Sequence, residues 1–297
     1  MDSNYSFPRR LWRIIYPPLV FLAIQVAVVI LVTITIEVIN GISEVTDGLF
    51  MLDHHLVLEF TQNFVTQRSM LTLLVSDIVC LFVFLPIWLH TRKSVPIRKN
   101  RRPAALCGLV VVLFASYNLV QMAIFSLTDI IRFFPSYEEV SEAFGMDSFA
   151  IRLLTIGVIA PIIEELIFRG ILINRMKWMP VWLSVFLQGL LFGVVHLNMF
   201  QGLYAFVAGI LLGFIYVRYN SIILVIAGHM SYNMISVILS EIENESVVGF
   251  IFFLSVILLP VCATRLAKHK KAGAVAPQEF LPPTANMYPD PWNRPYQ

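Results

Sequence analysis

IGVIAPIIEELIFRGILI, running from Ile156 to Ile173, is apolar throughout except for Glu164, Glu165 and Arg169. A charged side chain at the centre of a membrane helix costs about 2.5–3.5 kcal/mol on insertion scales, so charges kept there point to function by default. That cost applies only if the stretch lies in a bilayer, which the flanking sequence decides.

The chain has 297 residues, 58% of them hydrophobic and only 13% charged, with a mean hydropathy of +0.78. These values depart from those of globular domains and leave no room for a separate soluble domain. About 20 apolar residues at 1.5 Å rise cross a hydrocarbon core of roughly 30 Å. Eight such stretches are predicted, at 18–39, 69–90, 104–128, 148–173, 180–197, 202–217, 221–240 and 248–264. The expected fold is an all-α, polytopic integral membrane protein of about eight transmembrane helices. The first stretch follows Tyr16, Pro17 and Pro18 with no small-residue cleavage pattern behind it, so it reads as a retained anchor rather than a removable signal peptide.

Charge is segregated although the net charge is only +2. In an eight-span arrangement Arg9, Arg10, Arg13, the basic loop 91–103, Arg175, Lys177, Arg218, Arg265, Lys268, Lys270 and Lys271 fall on one side. The opposite loops hold only Arg68, Arg132 and Arg152 among many acids, from Glu37 and Glu44 to Glu241, Glu243 and Glu245. The positive-inside rule then predicts cytoplasmic termini in a multi-pass protein of the plasma membrane. The basic loops lack the aromatic interleaving and fold signatures of a nucleic-acid binder, so nucleic acid is excluded as a partner. Loop 91–103 is expected to touch anionic membrane lipids.

Residues 41–68 are too polar to span, yet Leu49, Phe50, Leu52, Phe60 and Phe64 suggest a segment lying at the outer interface. His54 and His55 there are adjacent, hence about 100° apart on a helix, which suits one metal ion poorly. Asp77 is the one acid of the second span and is expected to be a hydrogen-bonded packing residue rather than a proton relay. Cys80, Cys107 and Cys262 lie in separate spans at unrelated spacings and read as buried thiols. Residues 272–297 carry six prolines and no apolar period, the composition of a disordered cytoplasmic tail.

Costly polar groups recur in the second half. Glu165 and Arg169 stand i,i+4 and share a helix face, so they pair, while Glu164 is rotated by about 100° toward another neighbour. His229 and Asn233 repeat the i,i+4 spacing on the seventh span, and Phe192 and His196 on the fifth. One such residue alone would be explained by interhelical hydrogen bonding, but Glu, Arg, two His and Asn within 70 residues point to a site. Gly189 with Gly193, and Gly209 with Gly213, form small-xxx-small pairs that permit close helix approach. Depth is discordant: counting from the cytoplasmic ends places Glu164 and His229 at roughly 15 Å but His196 at roughly 24 Å. The levels agree only if helices tilt or the turn near 198–201 is sunk in the bilayer.

EELIFR (Glu164 to Arg169), FGVVH (Phe192 to His196) and HMSYN (His229 to Asn233) resemble, in order and spacing, the three motifs of the CAAX prenyl protease and bacteriocin-processing family, the Abi or CPBP intramembrane proteases. The resemblance covers about residues 148–240. It implies a helical intramembrane endopeptidase of the metalloendopeptidase class, for which a metal-free glutamate mechanism is also argued. Carried over, Glu164 and His196 activate the attacking water, His229 and Asn233 stabilise the oxyanion, and Glu165 with Arg169 holds the fourth helix in place. Domain expectations follow: 1–147 for the first three helices and the outer segment, 148–264 for the protease core, and 265–297 for the basic, then proline-rich tail.

Desolvation strengthens a carboxylate as a proton acceptor, so this assignment is chemically reasonable on its own. The same atoms offer a second scheme in which Glu164, His196 and His229 ligate zinc and leave a fourth position for water. No HExxH motif is present, which tilts the expectation slightly toward a metal-free reaction. The expected substrate is a peptide or protein at the membrane, prenylated or bacteriocin-type, reached through a cavity open to the cytoplasmic side or to lipid. Two other classes remain: a non-catalytic membrane immunity or interaction protein, and a transporter, for which internal repeats are lacking.

Overall fold

The computed structural model describes residues 6–50, 69–92, 103–137, 145, 147–242 and 244–269. His54, His55, most of the expected interfacial segment, the centre of the 91–103 loop and the proline-rich tail lie outside them. Among the described residues every element is helical. The helices are α1 (Phe7–Phe50), α2 (Ser69–Arg92), α3 (Pro103–Thr128), α4, α5 (Val181–Val194), α6 (Met199–Tyr219), α7 (Ile222–Leu239) and α8 (Glu245–Lys268). A short 3₁₀ turn, Ile130–Phe133, follows α3.

Helix α4 consists of four consecutive segments. Phe149–Leu154 and Ala160–Glu165 are α-helical, while Thr155–Ile159 and Leu166–Ile173 are wound as π-helix. Such insertions are rare and frequently lie at functional sites. Among the described residues, six helices (α1, α2, α3, α6, α7 and α8) are long and apolar enough to cross a membrane. Helix α5 has only 14 residues, about 21 Å of rise, and ends short of a full crossing. Large apolar side chains such as Leu31, Phe82, Phe214 and Phe253 stand exposed on the outer surface of the helices. In water such surface would promote association, and in lipid it is the natural exterior. The protein is an all-α, multi-pass membrane protein.

Helix α1 starts earlier than its sequence suggests, running through Pro17 and Pro18 instead of beginning beside them. Proline has no N–H, so Pro17 leaves the carbonyl of Arg13 without its helical donor. Arg175, beyond the end of α4, supplies one: its Nη1 donates to Arg13 O at 2.9 Å and its Nη2 to the Tyr16 hydroxyl at 2.7 Å. A remote guanidinium thus repairs the ladder that the prolines interrupt. At the same end of the bundle, Arg218 donates to the carbonyls of Leu266 and Ala267 and ties down the last turn of α8.

Two buried clusters organise the interior. One joins α3, α6, α7 and α8 around Val110, Phe114, Leu212 and Val225. The other joins α1, α2, α4 and α5 around Phe21, Phe84, Ile167 and Phe168. Helices α5 and α6 pack along their glycines as the spacing predicts. A Cβ on Gly193 would lie 2.5 Å from the carbonyl oxygen of Gly202, and one on Gly209 would lie 3.1 Å from Gly189 Cα.

Candidate active site

Arg169 is fully buried, and three groups around it account for that. Its Nη1 donates to Glu165 Oε1 at 2.5 Å, its Nη2 donates to Gly209 O at 3.0 Å, and its guanidinium stacks 4.7 Å from the centre of the Phe192 ring. Gln188 Nε2 donates to the same Gly209 carbonyl at 2.7 Å. This is possible because the glycine pairs let α5 and α6 approach until side chains of α4 and α5 reach the backbone of α6. A guanidinium removed from water requires pairing of this kind.

The two glutamates do not go to separate neighbours, as their rotation on a regular helix suggests. Both reach His229 on α7. Glu165 Oε1 lies 2.8 Å from His229 Nδ1, and Glu164 Oε2 lies 3.5 Å from His229 Nε2. Glu165, already accepting from Arg169, is an acceptor, so His229 Nδ1 carries a proton and donates it. Ring orientation and tautomer are thereby set from the buried side, and Nε2 is left facing Glu164.

His196 is fixed in the same manner from α5. Its Nδ1 lies 2.7 Å from Phe192 O, a carbonyl that only accepts, so Nδ1 bears the proton and the neutral ring keeps its lone pair on Nε2. Phe192 stands edge-on to both imidazoles, with ring centres 5.0 Å from His196 and 5.7 Å from His229. Val195–Asn198, which follow the short α5, line the same cavity as Glu164, in a turn closed by Leu197 in the left-handed region at φ 54° and by Asn198 Oδ1 accepting from Gln201 N at 3.1 Å. A left-handed leucine costs about 1–2 kcal/mol, borne here next to a site histidine.

Asn233 Nδ2 donates to Ile156 O at 2.8 Å. Ile156 lies in the first π segment of α4, where the altered helical register leaves carbonyls for other donors. One N–H of the amide is used there and the second remains for a ligand.

Glu164, His196, His229 and Asn233 line one cavity of about 1220 Å³. Glu165 and Arg169 lie behind its wall. Asp77 of α2 also lines it, fully buried, taking a hydrogen bond from Gln25 while Oδ2 has no partner. Sequence reasoning set Asp77 aside as packing. The available signal was its position as the lone acid of its span, and nothing in the sequence tied that span to α4. Gln188 was missed as well, although a glutamine amid Val181–Val194 is a similar signal.

The cavity lies towards one end of the bundle. Its walls use no residue between 165 and 191 or between 209 and 228. It reaches the surface at exposed Ser136, Leu197, Met199 and Ser240, away from the basic ends of the helices. Among the described residues no three His, Cys, Asp or Glu side chains stand close enough together to hold a metal ion.

The described helices form a membrane bundle whose internal cavity is lined by a carboxylate–imidazole cluster. Residues 146–235, from the start of α4 into α7, match the family model described as type II CAAX prenyl endopeptidase Rce1-like. The match bears out the resemblance carried by EELIFR, FGVVH and HMSYN, all of which it contains. At family level it supports a CAAX-type membrane protease, a class whose substrates are membrane-associated peptides. No curated protein and no solved structure matches the chain.

Proposed function

We propose that this protein is an intramembrane endopeptidase that hydrolyses peptide bonds of membrane-associated polypeptides, in the plasma membrane with both termini cytoplasmic. The observation that carries the proposal is the joint presentation of Glu164, His196, His229 and Asn233 to one cavity, with each imidazole anchored through Nδ1.

Water bound between Glu164 and His196 attacks the scissile carbonyl carbon while Glu164 accepts its proton. The C–O bond forms and the carbonyl π pair moves to oxygen. The free N–H of Asn233 and Nε2 of His229 face that oxyanion. With Nδ1 committed to Glu165, His229 donates from Nε2 only as the imidazolium. Collapse restores the carbonyl and breaks the C–N bond, and the proton held by Glu164 passes to the leaving amine, with His196 Nε2 accepting the remaining acid proton. Glu165 and Arg169 act as positioning residues: they hold the ring of His229 and never meet the substrate.

No step uses a metal. Cleavage by the purified protein is expected to persist after chelation and dialysis, whereas loss restored by added zinc would contradict this mechanism. Glu164→Gln protein should retain its substrate, so mass spectrometry of peptides co-purifying with it, absent from wild type, tests the activity and identifies what is cut. Equal peptide profiles with uncut target in both would count against it.

A further inference from the structure

The position of the cavity along the bundle bears on the origin of the substrate. Every wall residue on α3 comes from Asn118–Ser126, on α2 from Leu73 and Asp77, and on α7 from His229 onward. These are the helix halves nearest the 128–149, 195–198 and 240–244 connections. The other halves are packed shut. Beyond Glu164, the residues Ile167, Phe168, Ile171, Leu172 and Ile173 are all buried, and the Arg169, Glu165, Gln188 and Gly209 network lies across the same level. Ile173 lies nine residues beyond Glu164 on α4, and every residue from Glu165 to Ile173 is buried.

The closed end is the basic one. Among the described residues, nine Lys and Arg side chains lie at those helix ends (Arg9, Arg10, Arg13, Arg92, Arg175, Lys177, Arg218, Arg265 and Lys268), against Arg132 and Arg152 at the open end. Both described cations at the open end are balanced by acids. Arg132 pairs with Asp129 at 3.2 Å, and Arg152 pairs with Glu241 while donating to Ser240 at 3.1 Å. A bias of this size in short loops sets membrane orientation.

We infer that the active-site cavity opens to the non-cytoplasmic face and takes an unfolded segment of a polypeptide already on that side of the membrane. The substrate class rests on the protease reading above, and the orientation does not. From Arg152 at the mouth to Glu164 is 12 helical residues, about 18 Å. An extended chain covers that distance in about five or six residues. Cleavage therefore falls several residues inside a terminus or flexible stretch, and a peptide presented from the cytoplasm meets the packed, basic end instead.

The test is cysteine accessibility in cells expressing the full chain with Cys80, Cys107 and Cys262 replaced by Ala. Ser136→Cys and Ser240→Cys should react with a membrane-impermeant maleimide in intact cells, and Lys268→Cys only after permeabilisation. The reverse pattern, or mouth cysteines that label only after permeabilisation, overturns the inference. A second arm adds a random fluorogenic peptide library to right-side-out and inside-out vesicles. Glu164-dependent cleavage confined to right-side-out vesicles supports outer access, and cleavage confined to inside-out vesicles overturns it. Outer labelling with no Glu164-dependent cleavage on either side would leave the orientation standing and remove the protease reading.

Discussion

Glu165 Oε1 receives both Arg169 and His229, so one buried oxygen links the structural ion pair to the imidazole facing the cavity. Arg169→Ala would leave that carboxylate buried with its main counter-charge gone, a change that typically costs about 3–5 kcal/mol. Thermal unfolding in detergent should show it as a large loss of stability, well beyond that of Asn233→Ala. The latter should instead leave the fold intact and lower kcat by about 10²–10³, with little change in KM, as expected on removal of one oxyanion donor. Steady-state cleavage kinetics would check this, and an unchanged kcat would remove Asn233 from the oxyanion site. The residue types and the Glu165–Arg169 pairing were legible in the sequence because i,i+4 spacing is a property of one helix. That both glutamates converge on His229 was not legible, because a helical wheel gives angles about its own axis and nothing about which neighbour's ring stands opposite. The entry of Asp77 into the cavity escaped for the same reason.

Among the elements, the short α5 brings Phe192 and, just past its end, His196 to the cavity that Glu164 also lines. Its seat on α6 depends on glycines: a Cβ on Gly193 meets the backbone carbonyl of Gly202, which has no side-chain freedom with which to yield. Gly193→Ala should separate the two helices and lower stability by about 1–3 kcal/mol, the usual range for overpacking. A denaturation midpoint equal to that of wild type would contradict the role of this close approach. The glycine spacing announced the α5–α6 contact in advance. The π-wound segments of α4, Thr155–Ile159 and Leu166–Ile173, were not announced, since no residue pattern in them marks a change of winding and a partner such as Asn233, which meets Ile156 O, lies on another helix. The early start of α1 was hidden likewise, because Pro17 argues locally for a helix end and its remedy, Arg175, lies on another element.

For the whole molecule, hydropathy and charge sufficed to read an all-helical membrane protein. Apolar runs are set by the bilayer itself and need no tertiary information. The position of the cavity in one half of the bundle required the packing of seven helices and could not be read from any run. The central proposal is that Glu164 is the base that activates water. The most direct measurement is the rate at which purified Glu164→Gln protein cleaves a peptide that wild type cleaves, at matched thermal stability. A fall of about 10²–10⁴, the usual contribution of a general base, is predicted. A folded Glu164→Gln variant that cleaves at the wild-type rate would contradict it.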